Sequence, residues 1–447
     1  MSKQLTSTKD LKRVLGFWDL MAIGVGSIIG SGIMSLTGIG IERTGRSIFI
    51  AFMIGGFIAL LSRSPQIFLN SVARYRGGDY SMVGTFLGPR WTGTYSMIAL
   101  LTSVTLAMYA LSFADYAMPF LPWMTRKAIA LSVLTILFVT NVFGVNAFAK
   151  IQGAAEILLV IALTVFTGVG LANLDPNYFD PATFMPNGLS GLWSAAVLMS
   201  YTCDGAQYVT QMSAEAKNPT RDIPRVMLFS TLGIAAFYGL MGVVAAGVLP
   251  VDQVAGQPLN VVAEAVLSKP LYYLFMIGGA WMALLTTLNS SIASCTKPLM
   301  QACNDGWLPH KIGYIHPKFK TPVIILVGFY IVGLIPILTG LQISMIADTA
   351  VVLSNILFAF ICFGTVFIPQ RMPELWEVSA FRCSKSKLYL KSILGGVSCV
   401  VMVLVLFFQM SMPQAVILVI ITIVGILFAQ LRYRSGAVKP VKSYEKL

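Results

Sequence analysis

The sequence predicts an all-α polytopic membrane protein with twelve transmembrane helices, and three observations lead there. The 447 residues are 56% hydrophobic and only 11% charged, with a mean hydropathy of +0.78. A soluble domain is about 45–50% apolar and about 25% charged. Residues 91–114, 128–149, 181–203, 226–251, 270–296, 321–347, 349–370 and 392–431 contain no Asp, Glu, Lys or Arg. Each reaches the ~20 residues that a bilayer-spanning helix needs, and the last holds two. Finally, Pro- and Asp-containing turns separate the apolar stretches. Such a composition cannot clothe soluble domains, which sets aside soluble enzymes, nucleic-acid binders and secreted disulfide scaffolds.

In chain order the spans are expected at 17–39, 47–73, 91–118, 128–144, 151–172, 189–212, 226–249, 271–296, 322–339, 343–368, 392–410 and 414–431. The third ends at Pro119–Phe120–Leu121–Pro122, and Asp175–Pro176 with Asp180–Pro181 divide the fifth from the sixth. Pro250 ends the seventh, and Ser411–Met412–Pro413 turns the eleventh into the twelfth. An even count returns both termini to one side. Of 31 Lys and Arg, five fall in the odd-numbered loops (Arg43, Arg46, Arg126, Lys127 and Lys269), Arg63 lies within a span, and 25 occupy the termini and even-numbered loops. Basic residues concentrate in the cytoplasm, so a multi-pass inner- or plasma-membrane protein with both termini cytoplasmic is expected. Topology thus accounts for the net charge of +13 without a nucleic-acid partner. The basic runs Arg382–Lys391 and Arg432–Lys446 read as topology signals, with contact to anionic membrane lipid as a second reading.

Cys203, Cys295, Cys303, Cys362, Cys383 and Cys399 all fall in spans or cytoplasmic loops, so no structural disulfide is expected. The first apolar stretch exceeds a signal-peptide core and has no obvious cleavage site, so it is expected to stay as a helix. There is no GxxxxGK[ST] phosphate loop, no HExxH and no GxSxG elbow, and His310 and His316 share one basic loop. No enzyme activity, metal or cofactor is indicated. The longest polar stretch, about residues 369–391, is too short for a soluble domain, so the work is expected inside the membrane.

Two spans are built unlike the rest. The first reads Gly24–Val25–Gly26–Ser27–Ile28–Ile29–Gly30–Ser31–Gly32–Ile33, and each interior glycine costs a helix about 1 kcal/mol against alanine. Close packing through small residues explains such a run, and so does an unwound segment offering amides and carbonyls to a ligand. The sixth, Leu198–Met199–Ser200–Tyr201–Thr202–Cys203–Asp204–Gly205–Ala206–Gln207, is again polar and interrupted at mid-membrane depth, which favours the second explanation. Interruptions at corresponding positions of two halves are the sequence sign of a secondary-transporter site. The organisation expected is a tail at 1–15, a five-helix repeat at 16–172, an inverted five-helix repeat at 173–370, two further helices at 371–432 and a cytoplasmic tail at 433–447. A half-helix beginning near Gly32 would aim its positive end at the cavity and favour a carboxylate.

Three further segments complete a pattern. They are Gly77–Gly78–Asp79–Tyr80, the run Ala214–Glu215–Ala216–Lys217–Asn218–Pro219–Thr220–Arg221–Asp222–Ile223–Pro224, and Asp305–Gly306–Trp307–Leu308–Pro309 with His316–Pro317–Lys318–Phe319–Lys320–Thr321–Pro322. With the glycine-rich first span, and in this order, the sequence resembles the amino acid–polyamine–organocation (APC) superfamily of transporters. The resemblance covers about residues 14–340 by motif. It implies a LeuT-type fold and a permease or antiporter moving amino acids by alternating access. It also implies that Gly30, Ser31 and Gly32 hold the substrate carboxylate. The ammonium would meet the carbonyls of Ile28, Tyr201, Thr202 and Asp204, with Tyr201 as occluding gate and Gln207 close to the substrate.

Asp204 departs from the pattern, and an acid within a span is a functional candidate. It pairs with a cationic substrate side chain, cycles a coupling proton, or only satisfies loose donors of the broken helix. Glu156 is a second coupling candidate, although facing the inner vestibule explains it as well. Similar proton-coupled members carry a lysine near Leu159, which this sequence lacks. Arg63 either snorkels or pairs with an acid, for which Asp115, Asp19 and Asp348 are conceivable, and a structural pair ranks above a substrate role. Tyr109 and Tyr116 could line the pocket, with packing against helices or lipid the preferred reading. The partners expected are therefore an amino acid, membrane lipid, and a proton or counter-substrate. The rival readings are a polyamine or cationic amino-acid exchanger using Asp204, and a nontransporting membrane sensor or docking subunit.

Overall fold

The computed structural model describes residues 14–75, 78–144, 147–212, 216–294, 296–319, 321–439 and 444–446. Residues 1–13, Gly77, Ala214, Glu215, Cys295, Lys320, residues 440–443 and Leu447 lie outside the described residues. Among the described residues, seven helical stretches are long and apolar enough to cross a membrane: Ser31–Asn70, Pro89–Phe120, Pro219–Gly247, Lys269–Ile292, Ile343–Thr365, Lys385–Phe407 and Met412–Arg434. Shorter apolar helices run Phe17–Ile28, Ala155–Leu171 and Val323–Thr339.

Several expected spans are more broken than a charge-free stretch reveals. The helix Ile48–Arg63 gives way at Ser64–Pro65 to a short helix Gln66–Asn70. Pro89–Thr102 and Thr105–Ala117 meet at Ser103 and Val104, whose amides bond back to Leu100 and Leu101. Leu274–Trp281 is a π-helical stretch. The helix Pro219–Gly247 begins well before the expected residue 226, because Pro219 suits the first turn and the charged turn carrying Arg221, Asp222 and Arg225 is helical too. Nor is the chain purely helical. Ala73–Tyr75 pairs antiparallel with Tyr444–Lys446, Tyr75 opposite Tyr444, so the last described residues are docked rather than a free tail. Leaving a helix frees backbone groups, and an extended partner satisfies them.

The interior is held by close approach of backbones. The helix Ile48–Arg63 packs against both Gly188–Thr202 and Pro219–Gly247. A Cβ on Gly55 would stand 2.7 Å from the amide nitrogen of Ser200, so these two helices touch main chain to main chain. Hydroxyls within helices are satisfied by the carbonyl one turn back, as in Thr37 to Ile33, Thr167 to Leu163 and Ser230 to Val226. The face of Met412–Arg434 bearing Ile417, Ile420, Val424, Leu427 and Leu431 is exposed. Apolar area of that extent suits lipid and not water.

The two ends of the helix assembly are distinct. Leu15 bridges Ala216, Asn70 bonds Thr210, Tyr75 pairs with Tyr444, and the Lys439 amide donates to the Asp305 carbonyl, gathering both terminal segments at one end. The opposite end joins Arg46 to Asp175, Arg43 to Asp348 and the Gly256 amide to the Gly38 carbonyl. Cys203, Cys303, Cys362, Cys383 and Cys399 are free thiols.

Candidate functional site

Two helix interruptions face each other in the interior. The helix Phe17–Ile28 stops at Ile29, Gly30 is extended, and a new helix starts at Ser31 and runs to Thr44. The helix Gly188–Thr202 ends at Cys203, and a 3-10 segment, Ala206–Met212, follows Gly205. Glycine is needed at 205 for two reasons. Its φ of 140° is left-handed, and a Cβ there would run into the carbonyl of Ser27 and stand 3.0 Å from Ile28 Cα. The two interruptions therefore abut.

Between them lies a cavity of about 540 Å³ whose wall includes all eight sequence-predicted binding residues: Ile28, Gly30, Ser31, Gly32, Tyr201, Thr202, Asp204 and Gln207. Ser31 is the most telling. It is 1% exposed, and its hydroxyl has no hydrogen-bond partner among the described residues. The Ser31 amide donates to Thr287 Oγ1 at 3.1 Å. Tyr238 Oη stands 3.5 Å from the Ile28 carbonyl, a marginal contact that leaves acceptor capacity. Gln207 Oε1 accepts from the Gly205 amide at 3.0 Å, bracing the second interruption from within. Thr202 Oγ1 donates to the Met199 carbonyl, which leaves the cavity its main-chain edge. Tyr201 meets Tyr109 hydroxyl to hydroxyl at 3.1 Å.

From this point the cavity runs toward the end that holds the chain termini, along Asp79, Tyr95, Glu156 and the exposed Tyr208. Glu156 stands beside Gly26, where a Cβ would meet its Oε2 at 3.0 Å. A second depression of about 640 Å³, by Trp18, Lys217 and Arg225, is a surface cleft remote from both interruptions.

The structure corrects the partner of Arg63. Asp115, Asp19 and Asp348 are each engaged elsewhere, with Arg126, the Gly16 amide and Arg43 respectively. Arg63 donates from Nε and Nη2 to both carboxylate oxygens of Asp204, at 3.0 and 2.9 Å, and its guanidinium lies 3.4 Å from the centre of the Phe358 ring. Side-chain exposure is 6% for Arg63 and 14% for Asp204. Sequence spacing could not join residues 141 positions apart. The readings that leave Asp204 free for a cationic side chain lose ground, since a bidentate guanidinium already occupies both oxygens.

The wall also holds residues that no motif marked. Thr287 belongs to a polar run in an otherwise apolar span, Thr286–Thr287–Leu288–Asn289–Ser290–Ser291, and that run was the available signal. Tyr109 lines the cavity, whereas Tyr116 does pack, donating to the Met34 carbonyl and accepting from the Leu259 amide.

The chain is similar to known permeases over most of its length. It is 26% identical to a branched-chain amino acid permease of Bacillus subtilis over 402 residues, 84% of each chain. It is 25% identical to cationic amino acid transporter 1 of Arabidopsis thaliana over 411 residues, 87% of this chain and 68% of that one. A methylthioribose transporter of Bacillus subtilis is 23% identical over 339 residues, 71% of this chain and 73% of that one. The amino acid permease family model matches residues 15–429, so this multi-pass membrane chain belongs to the amino acid permease family.

Proposed function

We propose that this permease is a secondary transporter of amino acids with uncharged side chains, working by alternating access in the cell membrane and needing no cofactor. In this reading the chain crosses the bilayer twelve times. Residues 16–172 and 173–370 are inverted five-helix repeats, each opened by an interrupted helix, and residues 371–432 add two helices. Both termini are cytoplasmic, on the side of 25 of the 31 basic residues.

The carrying observation is the buried hydroxyl of Ser31, without a partner among the described residues, at the first turn of a helix that points into the cavity. An orphaned buried polar group costs about 1–3 kcal/mol, which a carboxylate accepting from it recovers. The helix N-terminus adds positive potential at the same place. The substrate carboxylate is assigned to Gly30, Ser31 and Gly32. Its ammonium is assigned to the carbonyls of Ile28, Tyr201, Thr202 and Asp204, with Gln207 behind them and Tyr201 closing the pocket. Unpaired burial of either charge would cost several kcal/mol, and main-chain dipoles meet both without a fixed protein charge. Commitment of the Asp204 carboxylate to Arg63 favours uncharged side chains over cationic ones.

The test is ligand-dependent stabilisation of the purified protein by leucine, lysine and isopentylamine, the amine left when leucine loses its carboxyl. Leucine is expected to stabilise, and the amine is not. Ser31→Ala should weaken leucine binding by about tenfold, the loss of one hydrogen bond to a charged group. Equal stabilisation by the amine would remove the carboxylate site from the reading, and preference for lysine would reverse the substrate class.

A further inference from the structure

Among the acids that line the cavity, Asp79 has no assigned task. It opens the helix Asp79–Phe86 in the connection after the second span, behind Gly78 at a φ of 57°. Its carboxyl faces the same cavity as the two interruptions and makes no hydrogen bond or ion pair among the described residues. The other acids around it are engaged, Glu156 on the same cavity included. Asp204 is bound by Arg63, while Asp305, packed nearby, accepts from Tyr80 Oη and Gln301. Asp348, on the helix Ile343–Thr365 that packs against this one, is at the far end with Arg43.

We infer that Asp79 is the site at which a coupling proton is taken up and released, making the permease a proton–amino-acid symporter. This rests on the transport reading and extends it.

The groups acting on the Asp79 carboxyl are limited. Burial is the largest and pushes it up to about 6, the Arg63 guanidinium pulls it down, and the Asp204 carboxylate pushes it up again. From the helix Pro89–Thr102 the phenol of Tyr95 faces it, with Tyr208 of the 3-10 segment beyond. Arg371, on the nearby helix Ile368–Arg371, is exposed. Asp79 therefore changes charge across the pH interval in which a transmembrane proton gradient operates.

The charge has a consequence at the transport site. With Asp79 protonated, Arg63 and Asp204 form a neutral pair, and the second interruption is held as observed. With Asp79 ionised, a second carboxylate attracts the Arg63 guanidinium and repels Asp204 through space, and Asp204 is held less firmly against the helix Ile48–Arg63. The proton passes from water on one side to the carboxylate, then from the carboxyl to water on the other, so nothing else is consumed. A carboxyl that lines the cavity and has no fixed partner among the described residues can exchange its proton without first breaking a bond.

Proteoliposomes loaded with a pH-sensitive dye provide the test, with radiolabelled leucine as the probe. In the wild-type protein, leucine should carry protons inward, and a gradient of about one pH unit should drive about tenfold accumulation at one proton per substrate. Asp79→Asn should retain exchange of labelled for unlabelled leucine yet lose both proton movement and gradient-driven accumulation, while Asp79→Glu should keep them. Infrared titration of the detergent-solubilised protein supplies a readout independent of flux. A carboxyl band titrating near 6 should be present in the wild type and missing from Asp79→Asn. Undiminished gradient-driven accumulation in Asp79→Asn, or wild-type uptake with no proton movement, overturns the proposal. Absence of leucine exchange as well as accumulation in the wild type would instead refute the transport reading on which it rests.

Discussion

Replacing Arg63 by methionine removes the cation from Asp204 while filling most of the same apolar volume against Phe358. At about 3 Å and an effective dielectric near 20, the paired charges attract by roughly 5 kcal/mol, before the cost of desolvating both is subtracted. Breaking a buried pair by deleting one partner costs about 3–5 kcal/mol, because the remaining charge has neither water nor a counterion. With 14% of its side chain exposed, Asp204 has little hydration to recover. Arg63→Met should therefore lose about 3 kcal/mol or more. Arg63→Met combined with Asp204→Asn should be less destabilised than the two single losses added, by about 2 kcal/mol, since no unpaired charge survives in it. Equilibrium unfolding in mixed micelles, with ligand-free protein at one pH, measures all four corners of the cycle. Strict additivity, or a loss below about 1 kcal/mol for Arg63→Met, would refute the claim that the pair holds the second interruption. Uptake measured on Asp204→Asn adds a second criterion. An unchanged leucine-to-lysine ratio and pH profile leave Asp204 a structural role, whereas a selective loss of lysine uptake means that it meets the substrate.

Tyr109→Phe removes one hydroxyl of the contact with Tyr201, worth about 1 kcal/mol, and should change the apparent affinity for leucine about fivefold. Tyr201→Phe should do the same, with no further loss in the double variant, and additive effects would mean that the two hydroxyls act separately. The Asp175 carboxyl is held below the usual carboxylate range, first by the Asn177 amide and then by Arg46. An acid depressed in the folded state contributes stability above its unfolded value and loses it as pH falls through the folded one. Asp175→Asn should therefore be less stable than the wild type at neutral pH, with the difference shrinking as pH falls through the folded value, and a pH-independent difference between the two proteins would remove this contribution.

What the sequence made legible was governed by local chemistry. Glycine clusters at 24–32 and the polar run around 201–207 announce helix interruptions because helix propensity is a property of the segment itself. The cavity residues follow from those interruptions, and all eight lie on one wall. Contacts between distant segments were not legible. Arg63 was sought a partner among acids already in spans or at their ends, and nothing in the spacing favoured Asp204 over them. Thr287 carries no motif, only an unusual density of hydroxyls in its span. The docked strand at Tyr444–Lys446 looked like a basic tail because charge patterning records affinity for water and not the unsatisfied backbone of Ala73–Tyr75. Span ends were misjudged where charge was taken as the boundary. At Pro219 the charged first turn is still helix.

The ion pairs give the two ends different mechanical characters. Arg43 grips Asp348 with Nη2 and reaches Ser194 with Nη1, tying the helix Ser31–Thr44 to Ile343–Thr365 and to Gly188–Thr202. Arg46 holds Asp175, and Arg126 holds Asp115. All three pairs lie at the end away from the termini, while the cavity extends toward the termini. The conformation is thus closed at one end and open toward the other. Under alternating access the opposite state has to part Arg43 from Asp348. That pair sits at the mouth, where opening admits water to both groups, so hydration offsets most of the lost attraction and the latch remains reversible. Arg63 and Asp204 are placed otherwise. They join the helix Ile48–Arg63 to the interrupted segment it already packs beside, so opening either end need not separate them. In that proposed mechanism one class of pair would break in each cycle, and the other would keep the candidate site intact while it does.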